Sequence, residues 1–235
     1  MAGAVVARRI RIGITQTIEH KMSTKTRERP LMEEIASAVV QGGAAAASAF
    51  GLLYLVIRAW PQQNVLKLAT IVVYGGSMFI AFVTSAIYHS VQHRRIKAVF
   101  QKIDQCTIFL FVAGTYTPFA LLPLRHHAGV TLLALIWTVA IAGIVLRLTK
   151  ESFFDRVAVP LYLAMGWLCL GWGIPLYQMV GTVTILLIIA GGIIYSGGLL
   201  FYGWQRLPFS NPIWHLFVVS GSISFFFAIA RCLRQ

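Results

Sequence analysis

The stretch SAIYH at positions 85–89 closes an apolar run that begins at Leu68, and its reading decides the fold. From Leu68 to the histidine there is no Asp, Glu, Lys or Arg, and the run reaches the roughly 20 residues that a helix needs to cross a bilayer. It ends on an imidazole, whose ring nitrogens find no partner in hydrocarbon. A second stretch, WHLFVV at 214–219, opens another apolar run and again sets a histidine at the edge of a greasy helix. The two histidines are expected to meet.

Composition carries the same message to the whole chain. Of 235 residues, 58% are hydrophobic and 11% charged, so a single soluble core cannot hide the apolar surface. Seven apolar runs, at about 35–57, 68–89, 106–123, 129–146, 157–176, 182–202 and 213–230, are separated by polar breaks. They are continuous rather than alternating, which selects helices over a barrel. The expectation is an all-α membrane protein, a seven-transmembrane helix bundle over residues 31–235 behind a basic tail of residues 1–30. That tail has no apolar segment followed by a cleavage site and is not read as a signal peptide.

A formal net charge of +13 invites a nucleic-acid reading, but the basic residues sit at the ends of apolar runs rather than on one soluble face. With the N-terminus inside, fifteen Lys and Arg fall on the cytoplasmic side and five (Arg58, Lys67, Arg125, Arg231 and Arg234) outside. The excess predicts a cytoplasmic N-terminus and an outside C-terminus. The protein is therefore expected to be integral to the plasma (inner) membrane, multi-pass, with membrane lipids and no nucleic acid as partners. Cys106, Cys169 and Cys232 show no CxxC spacing and read as packing residues.

This topology brings ionisable groups to one depth. The second span rises from outside and delivers His89 to the cytoplasmic edge, with Ser85 one turn deeper on the same face. The third and seventh spans start at that edge, so Asp104 and His215 share it. Each alone has a plainer reading: a wet interfacial histidine, a serine at a helix contact, an aspartate capping a helix N-terminus. Together they are a set that zinc accepts, since it takes imidazole and carboxylate ligands and its site is tuned by oriented neighbours.

SAIYH at 85–89, a basic segment leading to Asp104, AGTYTPF at 113–119 and IWHLFVVSGS at 213–222 resemble, in that order, the bacterial hemolysin III family. That family is the prokaryotic branch of the progestin and adipoQ receptor superfamily, more distantly similar to alkaline ceramidases. The resemblance runs from about Glu33 to Ala230. It implies a seven-helix bundle with zinc near the cytoplasmic side, held by three histidines, and an aspartate and a serine close by. By position, His89 and His215 match two zinc ligands, while Asp104 and Ser85 match the aspartate and the serine as candidate catalytic residues. Asn211 stands where the family has its third histidine, and an amide is a poor zinc ligand beside imidazole. Gln41 and Phe225 also stand where many relatives carry histidine. His93, four residues beyond His89, is a possible substitute if the second helix continues one turn further.

The remaining motif residues read structurally. Pro118 is expected to kink the third span, with Thr115 and Thr117 re-satisfying the freed backbone or lining a cavity. The Gly pairs at 42–43, 191–192 and 197–198, with Gly51, favour close helix approach. Trp60 and Trp204 suit interfacial anchors, and Glu33 and Glu34 read first as charges capping the first helix, with leaning into the cytoplasmic site as the alternative. Three functions remain in view: a site that acts on or senses membrane lipids, a zinc-dependent lipid amide or ester hydrolase, and the lytic activity in the family's name. An apolar bundle without an oligomerising amphipathic segment is a poor secreted pore-former.

Overall fold

The computed structural model describes residues 30–204 and 206–233, and among them the chain forms seven α-helices. They are α1 (Leu31–Ala59), α2 (Val65–Ser90), α3 (Arg94–Leu121), α4 (Gly129–Thr149), α5 (Glu151–Trp167), α6 (Gly173–Gly203) and α7 (Ser210–Cys232). Short 3-10 turns, Trp60–Gln62 and Leu168–Trp172, follow α1 and α5. Glu33–Gln235 packs as one compact unit. The basic tail lies outside the described residues except for Pro30.

Among the described residues, five helical stretches are long and apolar enough to cross a bilayer: Leu31–Gln62, Val65–Ser90, Gly129–Thr149, Glu151–Gly203 and Ser210–Cys232. The chain is an all-α, multi-pass membrane protein. Large apolar side chains such as Val72, Ile80, Ile141, Ile193, Ile223 and Phe227 are exposed along these helices, as a lipid-facing surface requires.

α3 is too polar for that set, and its position explains why. It packs against α2, α4, α5 and α7, and every residue from Ala113 to Ala120 is buried, so protein surrounds that part of it on all sides, while Ile96, Val99 and Ile103 nearer its start are exposed. A helix shielded from lipid can carry Thr115, Tyr116 and Thr117. Both threonines turn their hydroxyls back on the helix, Thr115 to the Phe111 carbonyl at 2.8 Å and Thr117 to that of Ala113 at 2.9 Å. This is the neighbourhood Pro118 disturbs by lacking an N–H. Close approach comes from small residues: a Cβ on Gly114 would clash with the Ser77 hydroxyl of α2, and one on Gly143 would clash with the Phe109 ring.

The boundaries correct the sequence reading in two places. The segment from Arg94 to Lys102, expected as a loop, is the first part of α3, because nothing in it breaks a helix. The expected break near 177–181 is present: Gly181, at φ +74°, is not helical and divides α6 into two helices at a kink, while the turn Leu168–Trp172 is an additional interruption that the sequence reading did not place. Hydropathy does not mark that turn inside an apolar run, whereas tertiary contact does. The Tyr116 hydroxyl reaches the Met165 and Gly166 carbonyls at 2.8 and 2.9 Å and accepts from the Cys169 N–H at 3.1 Å. A single side chain of α3 thereby serves backbone groups that helix termination leaves open.

Contacts at the two ends fix the directions of α1, α2, α3 and α7. At one end the starts of α1, α3 and α7 meet the end of α2 through Glu34, Lys97, Asn211 and His89. At the other, Gln62 and Lys67 both donate to the Leu233 carbonyl past α7.

Candidate functional site

The end where α1, α2, α3 and α7 meet is built from polar side chains that the bundle seals off. Glu34, Ser37, Gln41, Ser85, His89, Asn211 and His215 are each no more than 5% exposed. On α2 the stripe Tyr74, Met78, Ala81, Ser85 and His89 is buried, which is the i, i+4, i+7 pattern of one helix face. On α7, Asn211 and His215 share a face at i, i+4.

The rings of His89 and His215 meet edge to face with centroids 4.9 Å apart, and their Nε2 atoms are 3.0 Å apart. The Asn211 amide nitrogen lies 2.9 Å from His215 Nε2 and 3.3 Å from His89 Nε2. Three nitrogens from two helices thus converge on a point. Behind them, α1 holds every member: His89 Nδ1 is 2.9 Å from Glu34 Oε2, Asn211 donates to the Ser37 hydroxyl at 3.1 Å, and the Gln41 amide nitrogen makes a short contact with His215 Nδ1. Lys97 sits outside Glu34, 2.8 Å from the same carboxylate oxygen and 5.1 Å over the Tyr88 ring. An ionised carboxylate only accepts, so His89 donates from Nδ1 and presents the Nε2 lone pair to the centre.

The capping role expected for Glu34 therefore gives way to a place inside the site. The seven-residue spacing of two helical turns carries the missed signal. Glu34, Ser37 and Gln41 stand at i, i+3 and i+7 in a run that is otherwise apolar, and a polar stripe on a membrane helix turns inward. Glu33 bonds across the bundle end instead, accepting from the Phe209 N–H at 3.0 Å.

Ser85 lies one turn below His89, and its buried hydroxyl has no hydrogen-bond partner among the described residues. Asp104 is half-buried within α3, ten residues past the helix start, so it does not cap that helix. A hydrogen bond of 3.0 Å between the Thr84 and Thr107 hydroxyls sets α2 and α3 side by side one turn deeper than Asp104. His93 is exposed and stands outside α2, which ends at Ser90. Phe225 lies on α7 stacked against Tyr195 at 5.5 Å, a packing contact. Among the described residues no group of three or more His, Cys, Asp or Glu is placed to share a metal ion; the third group at the centre is the amide of Asn211.

Comparison with known proteins places this arrangement. The family described as Haemolysin-III related matches residues 31–226. The chain is 41% identical over 197 residues to the Hemolysin-3 of Bacillus cereus, a match covering 84% of this chain and 90% of that protein. It is 36% identical over 199 residues to the Hemolysin-3 homolog of Bacillus subtilis (strain 168), covering 85% and 93%. A more distant similarity, 26% over 173 residues and about 70% of each chain, links it to the human Monocyte to macrophage differentiation factor. The matched region includes His89, Asn211 and His215, and all of the α1 stripe.

Proposed function

This chain belongs to the haemolysin-III related family, and from that premise we propose that its His89–His215–Asn211 centre is a metal site, with zinc as the first candidate. The site acts on or senses membrane lipids at the cytoplasmic end of seven membrane-spanning helices in the plasma membrane. The observation that carries this reading is the pair of Nε2 atoms 3.0 Å apart, brought from α2 and α7, with each opposite nitrogen held from α1.

The residues fit such an ion by spacing. Separations of 2.9, 3.0 and 3.3 Å approach the roughly 3.3 Å edge of a tetrahedron with zinc–nitrogen bonds of about 2.0–2.1 Å. His89 has the carboxylate partner that ligating histidines commonly use. Asn211 fits less well: its amide must turn Oδ1 inward, and that oxygen is a weaker ligand for zinc than imidazole. Bound there, zinc would supply a Lewis acid for a carbonyl group.

The unpartnered hydroxyl of Ser85 favours a second reading, hydrolysis of a lipid amide or ester. Ser85 would donate to the oxygen on which charge develops, and Asp104 would hold the proton lost by an attacking water.

Elemental analysis of protein purified without chelators tests the metal reading. Two imidazoles and an amide predict less than one zinc per chain, and Asn211→His is expected to raise both zinc content and thermal stability, because an ion bound only by the folded state stabilises it. Absence of zinc from both proteins after incubation with the metal sinks the reading. His93→Ala is expected to leave zinc content unchanged, since His93 is exposed and lies outside α2.

A further inference from the structure

We propose that Gln41 is a positioning residue for the centre, a two-position latch whose amide orientation sets which nitrogen of His215 carries hydrogen and thereby whether the centre is closed on itself or open to a metal ion. This rests on the metal reading above for its open state, while its closed state stands on the hydrogen bonds alone.

α1 treats the two histidines differently. Behind His89 it places a carboxylate, held by Lys97 at 2.8 Å, and a carboxylate admits one arrangement: Nδ1 donates and Nε2 keeps its lone pair. Behind His215 it places an amide, which can donate through Nε2 or accept through Oε1. With the amide nitrogen facing His215 Nδ1, Nδ1 must accept, so the hydrogen of the neutral ring sits on Nε2. That hydrogen points at the His89 Nε2 lone pair 3.0 Å away, and because a second donor cannot face it, the Asn211 amide, 2.9 Å from the same nitrogen, turns Oδ1 toward it in this state and accepts from the Ser37 hydroxyl. The chain Gln41 to His215 to His89 to Glu34 is then complete, and no lone pair is left at the centre by either ring for an ion.

Turning the amide by half a turn brings Oε1 to His215 Nδ1. The ring takes its other tautomer, and both Nε2 lone pairs face inward. Nothing on the outer side of the amide selects an orientation, because the buried Gln41 Oε1 has no hydrogen-bond partner among the described residues. The balance is therefore left to what occupies the centre. A carboxylate at this position would remove the choice.

The test uses full-length protein in detergent micelles with nitrogen-15-labelled histidine, at about pH 8, above the ordinary histidine range, where imidazoles are neutral and the ring shifts report the tautomer. The other described histidines, His93, His126 and His127, are exposed and distinguishable by rapid averaging. Without metal, His89 is expected as the Nδ1–H form and His215 as the Nε2–H form. Zinc should convert His215 to Nδ1–H. Gln41→Glu should produce that form without metal and tighten zinc binding about tenfold in a competition titration, the lower end of the effect known for partners of ligating histidines. A His215 already in the Nδ1–H form in the metal-free natural protein overturns the latch, as does a Gln41→Glu protein whose metal-free tautomers are unchanged. If neither protein takes up zinc but the expected tautomers are seen, the latch stands and the metal reading falls.

Discussion

Glu34 shows how one side chain links sequence, burial and site. Its carboxylate is buried, with a side chain 7% exposed, while Lys97 on its outer side is 24% exposed. The two partners should therefore differ in what their loss costs. Glu34→Ala leaves the Nδ1 hydrogen of a buried histidine without an acceptor, and breaking such a buried pair costs about 3 kcal/mol or more. Lys97→Met removes a partly solvated charge and keeps the contact with the Tyr88 ring, so a cost of about 1 kcal/mol is expected. Unfolding of the two variants in mixed micelles, measured beside the natural protein, checks the ranking; equal losses would place Glu34 outside the structural core of the site. His89, His215 and Ser85 were legible from the sequence because an ionisable or hydroxyl group at a fixed point in an apolar run has few bland explanations. Ser37 and Lys97 were not, since a serine in a membrane helix and a lysine at its end are ordinary until a partner appears.

At the scale of elements, α3 organises the bundle, and Tyr116 is its most connected polar residue. Its hydroxyl takes part in three backbone contacts at the α5 break, in surroundings where water does not replace them. Tyr116→Phe keeps the ring and removes those contacts. Stability should fall by about 1–3 kcal/mol, the cost of leaving buried polar groups unmade, and amide exchange at Cys169 should quicken, a pairing visible by hydrogen–deuterium exchange. Unchanged exchange would mean that the break terminates itself without α3. The existence of the helices and the break at Gly181 were readable from the apolar runs, whereas the turn Leu168–Trp172 was not, because its contacts come from a residue about 50 positions away. In α3, read from sequence as a short third span beginning at 106, the polar stretch from Thr115 to Thr117 lies in the segment that protein surrounds.

For the whole molecule, the distribution of basic residues predicts orientation. Fifteen Lys and Arg on one side of the expected topology against five on the other predict that the site end faces the cytoplasm. Reporter fusions at the exposed Gln92, between α2 and α3, and at Gln235 should report opposite faces of the membrane; the same face for both would break the seven-span topology and the cytoplasmic placement of the site. The sequence by itself determined the solvent, the helical class, the family and the pair of histidines. These depend on composition and on spacing along one helix, which a chain carries locally. Only the tertiary structure decided that α1 supplies the second nitrogen partner of each histidine, that Asn211 shares their centre, that His93 stands apart, and that α5 ends where Tyr116 meets it. The physical reason is that a hydrogen bond between residues more than a hundred positions apart depends on how helices rotate and pack, and the apolar pattern constrains that rotation only to within a face.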